Sequence, residues 1–446
     1  MPRHNGKEPP LASVPEEVTG QPRRVPLKTL HWRHTFASLR HRNFRLFFGG
    51  QLVSLIGTWM QNTAQGWLVY ELTKSTLLLG VVAAVGSTPM MLLSIWGGSV
   101  ADQHSKRRIV LWTQTGMMFF AFLFATLVWS GKIQTWHIMV LAAMGGCALA
   151  FDLPARQAFM VEMTSREDLI NAISLNSSIV NGARVVGPSV AGLLMARVGI
   201  ATCFLLNGLS FLAVIASLLL MRLPIFVPPR RPASAWAHAA EGFSYVWHHR
   251  RMRTLLILFA FVGVFGWSYS VLMPALARDV LGVGQGRYGV LLSANGIGAL
   301  LGALTVATVG SHVNRRVLVL GGLWFFSAML LMLAWVHNYY LALLLLALAG
   351  WGMLLFFSTT NTLLQTSASD EMRGRVMGIW TLVFGGTTPL GGLEAGTLSH
   401  YLGVRWAVTV GALVCAVAAC VVWWIVRQRP LTSPESSGLD VRDNPG

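Results

Sequence analysis

From Phe44 to Val426 the chain reads as a succession of apolar stretches separated by short polar turns. Twelve such stretches fall near 44–70, 76–101, 109–129, 136–154, 172–196, 201–221, 254–276, 288–309, 317–336, 340–360, 376–398 and 404–426. A helix needs about 20 apolar residues to cross the hydrocarbon core of a bilayer. Inside lipid, only a helix or a closed barrel satisfies its own backbone. The pattern therefore predicts an all-α integral membrane protein with 12 transmembrane helices. Polar faces, which a large soluble α-domain requires, are missing.

The longest interruption runs from Arg222 to Arg253. It carries Pro224, Pro228, Pro229 and Pro232, then a stretch from Trp236 to His249 suited to an amphipathic surface helix. Six spans lie on each side. The predicted organisation is an N-terminal tail (1–43), a first six-helix bundle (44–222), a central loop (223–252), a second bundle (253–427) and a C-terminal tail (428–446).

The halves echo each other. His41 to Arg45 and His249 to Arg253 precede spans 1 and 7 at a shift of 208 residues, and at that shift Trp59 meets Trp267. Arg107-Arg108 meets Arg315-Arg316 at the same shift, and Gly182, Gly192 and Gly199 meet Gly386, Gly396 and Gly403 at 204. Two like-oriented bundles predict a transporter that rocks about a central site.

Composition agrees with the membrane reading: charged residues are 11% of the chain, against roughly 25% in soluble domains. The net charge of +17 invites a nucleic-acid reading, but its distribution argues otherwise. With the N-terminus inside, six of the 34 lysines and arginines fall outside (Lys74, Lys132, Arg197, Arg278, Arg287, Arg405). Arg184 falls within a span and the rest are cytoplasmic. This is the positive-inside bias, and it places both termini in the cytoplasm. The basic charge then contacts anionic lipid, not nucleic acid.

Span 1 carries Gln51, Ser54, Thr58, Gln61, Asn62 and Gln65. At about 100° per residue these six share one arc of about 100°. Amides facing lipid cost free energy, so the arc should face a cavity or neighbouring helices. Arg184 sits mid-span 5 and Glu394 in the outer part of span 11; charges at such depths mark function by default. Arg184 could attract an anion or partner an acid, and a structural ion pair is the plainer alternative. Glu394 could exchange a proton or could be a water-exposed cavity charge. Gly187-Pro188 predicts a kink in span 5. Asp152 and Arg156 have the i,i+4 spacing of a helical ion pair.

Cys147, Cys203, Cys415 and Cys420 lie within spans without metal-ligand spacing and read as small packing residues. No phosphate-binding loop, zinc-hydrolase or nucleophile-elbow pattern appears, so neither an ATP motor nor an enzyme is predicted, and no cofactor or metal.

The segment Gly98-Ser99-Val100-Ala101-Asp102-Gln103-His104-Ser105-Lys106-Arg107-Arg108 resembles the loop motif of the major facilitator superfamily, G-x-L-A-D-R-x-G-R-R. Gly98, Asp102 and Arg107 match and Lys106 keeps the charge; Gln103 and Ser105 depart. Pro154 to Phe159, Glu162, Asp168-Leu169, Asn171-Ala172, Ala183-Arg184 and Gly187-Pro188, with Asp370 to Val376, resemble the enterobactin-exporter-like and macrolide-efflux-like branch. The resemblance covers the membrane part of the chain. It implies that Asp102 meets the start of span 11 near Arg375 and helps close the cytoplasmic side, and it associates Gly187-Pro188 with export. The span-4 Arg motif of drug/proton antiporters, due near Ile138 to Gly146, is absent.

The implied function is secondary export of a bulky, partly apolar compound (drug, macrolide or siderophore) from a bacterial inner membrane. Protons are the candidate coupling ion and a monomer the default. A metabolite uniporter or importer of the same fold is the first alternative, and a non-transporting scaffold or sensor the second.

Overall fold

The computed structural model describes residues 36–165, 167–223, 235–310 and 312–428. Six long helices precede the central loop. They are α1 (Arg42–Thr73), α2 (Thr76–Gln103), α3 (Lys106–Trp129), α4 (Thr135–Met163), α5 (Leu169–Val198) and α6 (Ile200–Leu220). A shorter α7 (Ala235–His248) covers the stretch expected to form a surface helix. Then follow α8 (Arg250–Val280), α9 (Gln285–Val309), α10 (Val317–Trp335), α11 (Tyr339–Ser367), α12 (Asp370–Leu402) and α13 (Val404–Gln428). Among the described residues there is no strand.

Among the described residues, eleven helices are long and apolar enough to cross a membrane. Besides the short α7, the helix that falls short is α1. It has 32 residues, ample length at about 1.5 Å per residue, but its amide-rich arc lowers its hydropathy. It nevertheless packs inside the bundle, against α5 and α6.

Several helices outrun their apolar stretches. Helix α4 continues through Pro154 to Met163, and α11 continues to Ser367. The physical reason is that hydropathy reports the hydrocarbon depth, whereas backbone hydrogen bonding continues into polar sequence beyond it. A single proline removes one donor and bends the helix without ending it. Pro89, Pro188 and Pro389 are likewise inside helices.

Helices α2 and α4 pack closely, as do α9 and α11, their counterparts in the second half. The halves meet along two seams, α2 against α12 and α5 against α9. Small residues build both. A Cβ on Gly80 would lie 2.2 Å from the Gly392 carbonyl oxygen, and one on Gly289 would lie 2.3 Å from that of Pro188. Close approach of this kind is how helices associate where lipid supplies no hydrophobic drive.

The seams tighten at one end only. The helix ends next to the chain termini will be called the tail side, and the opposite ends the far side. Gly80, Gly192, Gly289, Gly392 and Gly396 sit in the far-side halves of their helices, each against backbone of the other bundle. Toward the tail side, a Cβ on Gly98, Gly182, Gly374, Gly378 or Gly385 would meet nothing within 4 Å. The bundles are thus closed on the far side and apart on the tail side. Tyr70 of α1 hydrogen-bonds Asp279 of α8 across the closed end, and Trp67 stacks obliquely on Tyr288 of α9 at 5.2 Å.

Candidate functional site

The span-5 kink sets the centre of the molecule. Pro188 has no N–H, so the Arg184 carbonyl one turn earlier loses its helical donor. Gly187 places backbone where a side chain would stand. A Cβ there would lie 2.5 Å from the Trp59 Cβ and 3.0 Å from the Ile56 carbonyl oxygen. Helix α5 therefore crosses α1 closely at Trp59, and Arg184 emerges beside that ring.

The Arg184 guanidinium lies 5.7 Å from the centroid of Trp59 and 5.3 Å from that of Trp267, one ring from each half. It donates to Asn295 Oδ1 of α9 at 3.3 Å. Asn295 is fully committed, because its Nδ2 donates to Tyr269 Oη at 2.9 Å and to the Leu346 carbonyl at 3.2 Å. Nearby, Ser189 donates to Ser293 Oγ at 2.7 Å, and Ser293 donates to the Val185 carbonyl at 2.6 Å. Arg184, Trp59 and Trp267 are all half-buried, so the cluster borders open space. Among the described residues no carboxylate forms an ion pair with Arg184.

Trp267 owes its position to an irregular helix. Residues Val262–Gly266 form a π-helical turn directly before it. Such turns cluster at functional sites because they shift the following side chains around the axis. Beyond Trp267 an aromatic wall continues: Phe384 meets it edge-on at 6.5 Å, and Phe357 meets Phe384 at 5.7 Å.

The polar arc of α1 divides between two neighbours. Gln51 and Ser54 are buried, on the side where Gly50 and Gly57 touch α6. Gln61 Oε1 accepts from Asn207 Nδ2 of α6 at 2.7 Å, and Thr58 donates to the Ser54 carbonyl at 2.9 Å. Asn62 is exposed and Gln65 half-buried. Asn62 is one turn tailward of Gly66, which approaches Pro274 and Tyr288 of the second half. Asn62 thus borders the gap between the halves.

Glu394 is on α12, further toward the far side than Arg184, and both its carboxylate oxygens are out of solvent contact. A cavity of about 550 Å³ opens at the far side, lined by Tyr70, Lys74, Asp279, His400 and Arg405 among others.

At the tail side the loop-motif residues engage their own half. Lys106 pairs with Glu162 at 2.9 Å, and Arg107 donates to the Leu219 carbonyl at 3.1 Å. Gly98 faces open space and Asp102 is exposed. Arg375 forms an ion pair with Glu241 of α7. With the tail side apart, Asp102 and Arg375 are not joined.

One tail-side contact went unread in the sequence. Arg40 and His41, just before α1, both bond Asp168 Oδ2, at 2.8 and 2.7 Å, while Ser38 donates to Asn171 at 2.8 Å. The His41 hydrogen bond, then Arg40, hold the Asp168 carboxyl below its ordinary range. A depressed folded pKa makes the contribution complete above the ordinary carboxylate pKa and loses it as pH falls through the depressed value. Asp168→Asn should therefore free this segment at neutral pH, where wild type frees it only in acid. Maleimide labelling of a cysteine introduced at Ser38 across pH reads this; equal labelling of both chains at neutral pH contradicts it.

In the sequence Trp59 and Trp267 correspond through the repeat, whereas Asn295, Ser189 and Ser293 carry no such mark. Single polar residues in apolar spans were the available signal, but hydropathy does not tell which neighbour they meet.

The family model described as transmembrane secretion effector matches residues 33–441. The staphyloferrin A transporter of Staphylococcus aureus is 23% identical over 394 residues, covering 88% of this chain and 98% of that one. The multidrug efflux pump Tap of Mycolicibacterium fortuitum is 26% identical, covering 76% and 85%. The enterobactin exporter EntS of Escherichia coli is 26% identical, covering 90% and 96%. Among solved structures, a bacterial homologue of the human lysosomal transporter Spinster, inward-facing and unoccupied, superposes with a TM-score of 0.70 at 13% identity, covering 89% and 98%. The nucleoside transporter NupG superposes with a TM-score of 0.71 at 13% identity, covering 88% and 99%.

Proposed function

The chain belongs to the transmembrane secretion effector family of major facilitator transporters, and from that membership we propose that it exports bulky, partly apolar organic compounds by alternating access. The observation that carries the proposal is the one-sided closure of the two halves, sealed at the far-side glycine seams and apart at the tail side. The positive-inside bias assigns the tail side to the cytoplasm. On that assignment the site at Arg184 is open to the compartment from which an exporter loads. Siderophore and multidrug transport by the relatives supports this substrate range.

Export against a gradient needs a coupled ion, and the chain carries no ATP-binding pattern. The proposal assigns proton exchange to Glu394, an acid between the central site and the far side. The test is proton flux in inside-out vesicles under an imposed pH gradient, with lipophilic cations, macrolides and catecholates as the panel. Wild type is expected to collapse the gradient when one class is added, and Glu394→Gln to lose that response. No response to any compound from correctly inserted protein overturns proton-coupled export and leaves uniport or import.

A further inference from the structure

A guanidinium at the middle of a membrane protein is expensive to hold, and proteins offset that cost with a carboxylate partner or with water. Arg184 has no carboxylate partner among the described residues. Among them it has a single hydrogen bond, to Asn295, and two indole faces. Arginine carries five N–H donors in a flat fork. Asn295 accepts one of them and holds the fork in place through its own bonds to Tyr269 and the Leu346 carbonyl. The other donors have no protein acceptor among the described residues.

The surroundings are selective. Indole faces stabilise a cation without neutralising it, so the charge remains available to an anion. The two rings come from pseudo-equivalent positions of the two halves, and the one on α8 leads into an aromatic wall of Phe384 and Phe357. A positive fork at one end of an aromatic surface matches a particular ligand shape: a planar or apolar body with a carboxylate or similar oxyanion at its end. Forked N–H pairs bind carboxylates through two parallel hydrogen bonds, which fixes orientation as well as strength.

We propose that Arg184 is the anion-recognition group of the central site, held by Asn295 between Trp59 and Trp267, and that it selects amphiphilic aromatic acids over their neutral and cationic analogues. This rests on the transport reading above but can fail separately from it. The competing role is a purely structural clasp, in which Arg184 ties the halves together through its two rings and takes no ligand.

The experiment is direct binding to the full chain in lipid nanodiscs, by energy transfer from tryptophan to pyrene. Pyrenebutyrate is compared with the uncharged pyrenebutanamide, and empty nanodiscs correct for partition into lipid. Wild type is expected to favour the acid by about tenfold. Arg184→Gln should reduce that preference to about twofold or less, and Arg184→Lys should recover part of it through charge without the fork. Equal binding of acid and amide by wild type overturns the proposal, as does a preference that survives in Arg184→Gln. If Arg184→Gln does not fold, the wild-type comparison together with Arg184→Lys still decides. Acid-selective binding without gradient collapse in the vesicle assay would leave this inference standing and sink proton-coupled export. Gradient collapse driven by lipophilic cations, with no acid preference, would do the reverse.

Discussion

Gly289→Val is expected to lower transport by ~10-fold or more in the proposed cycle, while Gly286→Ala leaves it near wild type. Both positions are at the far-side start of α9, three residues apart, and face α5. Their surroundings differ in what could yield. At Gly289 an added Cβ would stand 2.3 Å from the Pro188 carbonyl oxygen and 2.7 Å from the Gly192 Cα. These are backbone atoms of the kinked helix, and no rotamer change relieves the overlap. At Gly286 the nearest atom is the Ala196 Cβ at 3.6 Å, an ordinary contact.

Overpacking inside a rigid core typically costs about 1–3 kcal/mol. Here the overlap lies between two bodies that separate in the proposed cycle, so displacing one bundle relieves it. Gly289→Val should wedge the far side open and disfavour the closed form. A cysteine introduced at Asn62, which borders the gap, would then react with membrane-impermeant maleimide from outside intact cells. Wild type should protect it. Unchanged labelling together with unchanged transport would show that this seam does not gate. Loss of the folded chain on a melting curve would mark Gly289 as a folding position instead.

How much of this was readable beforehand depends on what hydropathy encodes. The spans were legible because lipid imposes one rule on every crossing helix, and the repeat gave the two halves. The far-side seams were not legible. Gly80, Gly192, Gly289, Gly392 and Gly396 are apolar in any hydropathy sense, and only tertiary structure shows which glycines touch backbone and which, like Gly182, face space. The arc on α1 shows the same limit. Its angular spacing groups six residues on one side of a helix, yet Gln61 meets Asn207 while Asn62 borders the gap. A periodicity fixes direction around one axis, and where the neighbouring axes lie is a property of the whole bundle. Arg184 stood out in the sequence because a mid-span charge breaks the lipid rule. Its indole faces were visible only as two tryptophans at equivalent positions.

Asp152 and Arg156 carry the second large expectation, on stability. They are four residues apart on α4 and form an ion pair inside the first half. The carboxylate is completely buried and the Arg156 side chain is 17% exposed, so water replaces neither partner. Two further donors reach Asp152 Oδ1: Thr113 Oγ1 at 2.8 Å and Gln114 Nε2 at 3.0 Å, both from α3. The acid therefore fastens α3 to α4 as well as neutralising the arginine. Removing one member of a buried pair leaves an uncompensated charge, which costs about 3–5 kcal/mol. Asp152→Asn preserves shape and one acceptor for Thr113 and Gln114, so it isolates the charge. It should destabilise the chain by about that amount in SDS-titration unfolding from lipid. Removing both charges is a different matter, since an apolar replacement for a buried pair is often neutral or stabilising. The double variant Asp152→Leu/Arg156→Leu is expected to recover most of the loss, limited by the acceptor that Thr113 and Gln114 forfeit. A loss under about 1 kcal/mol in Asp152→Asn would mean that Arg156 finds water or another acceptor, and the pair would then be dispensable to the fold.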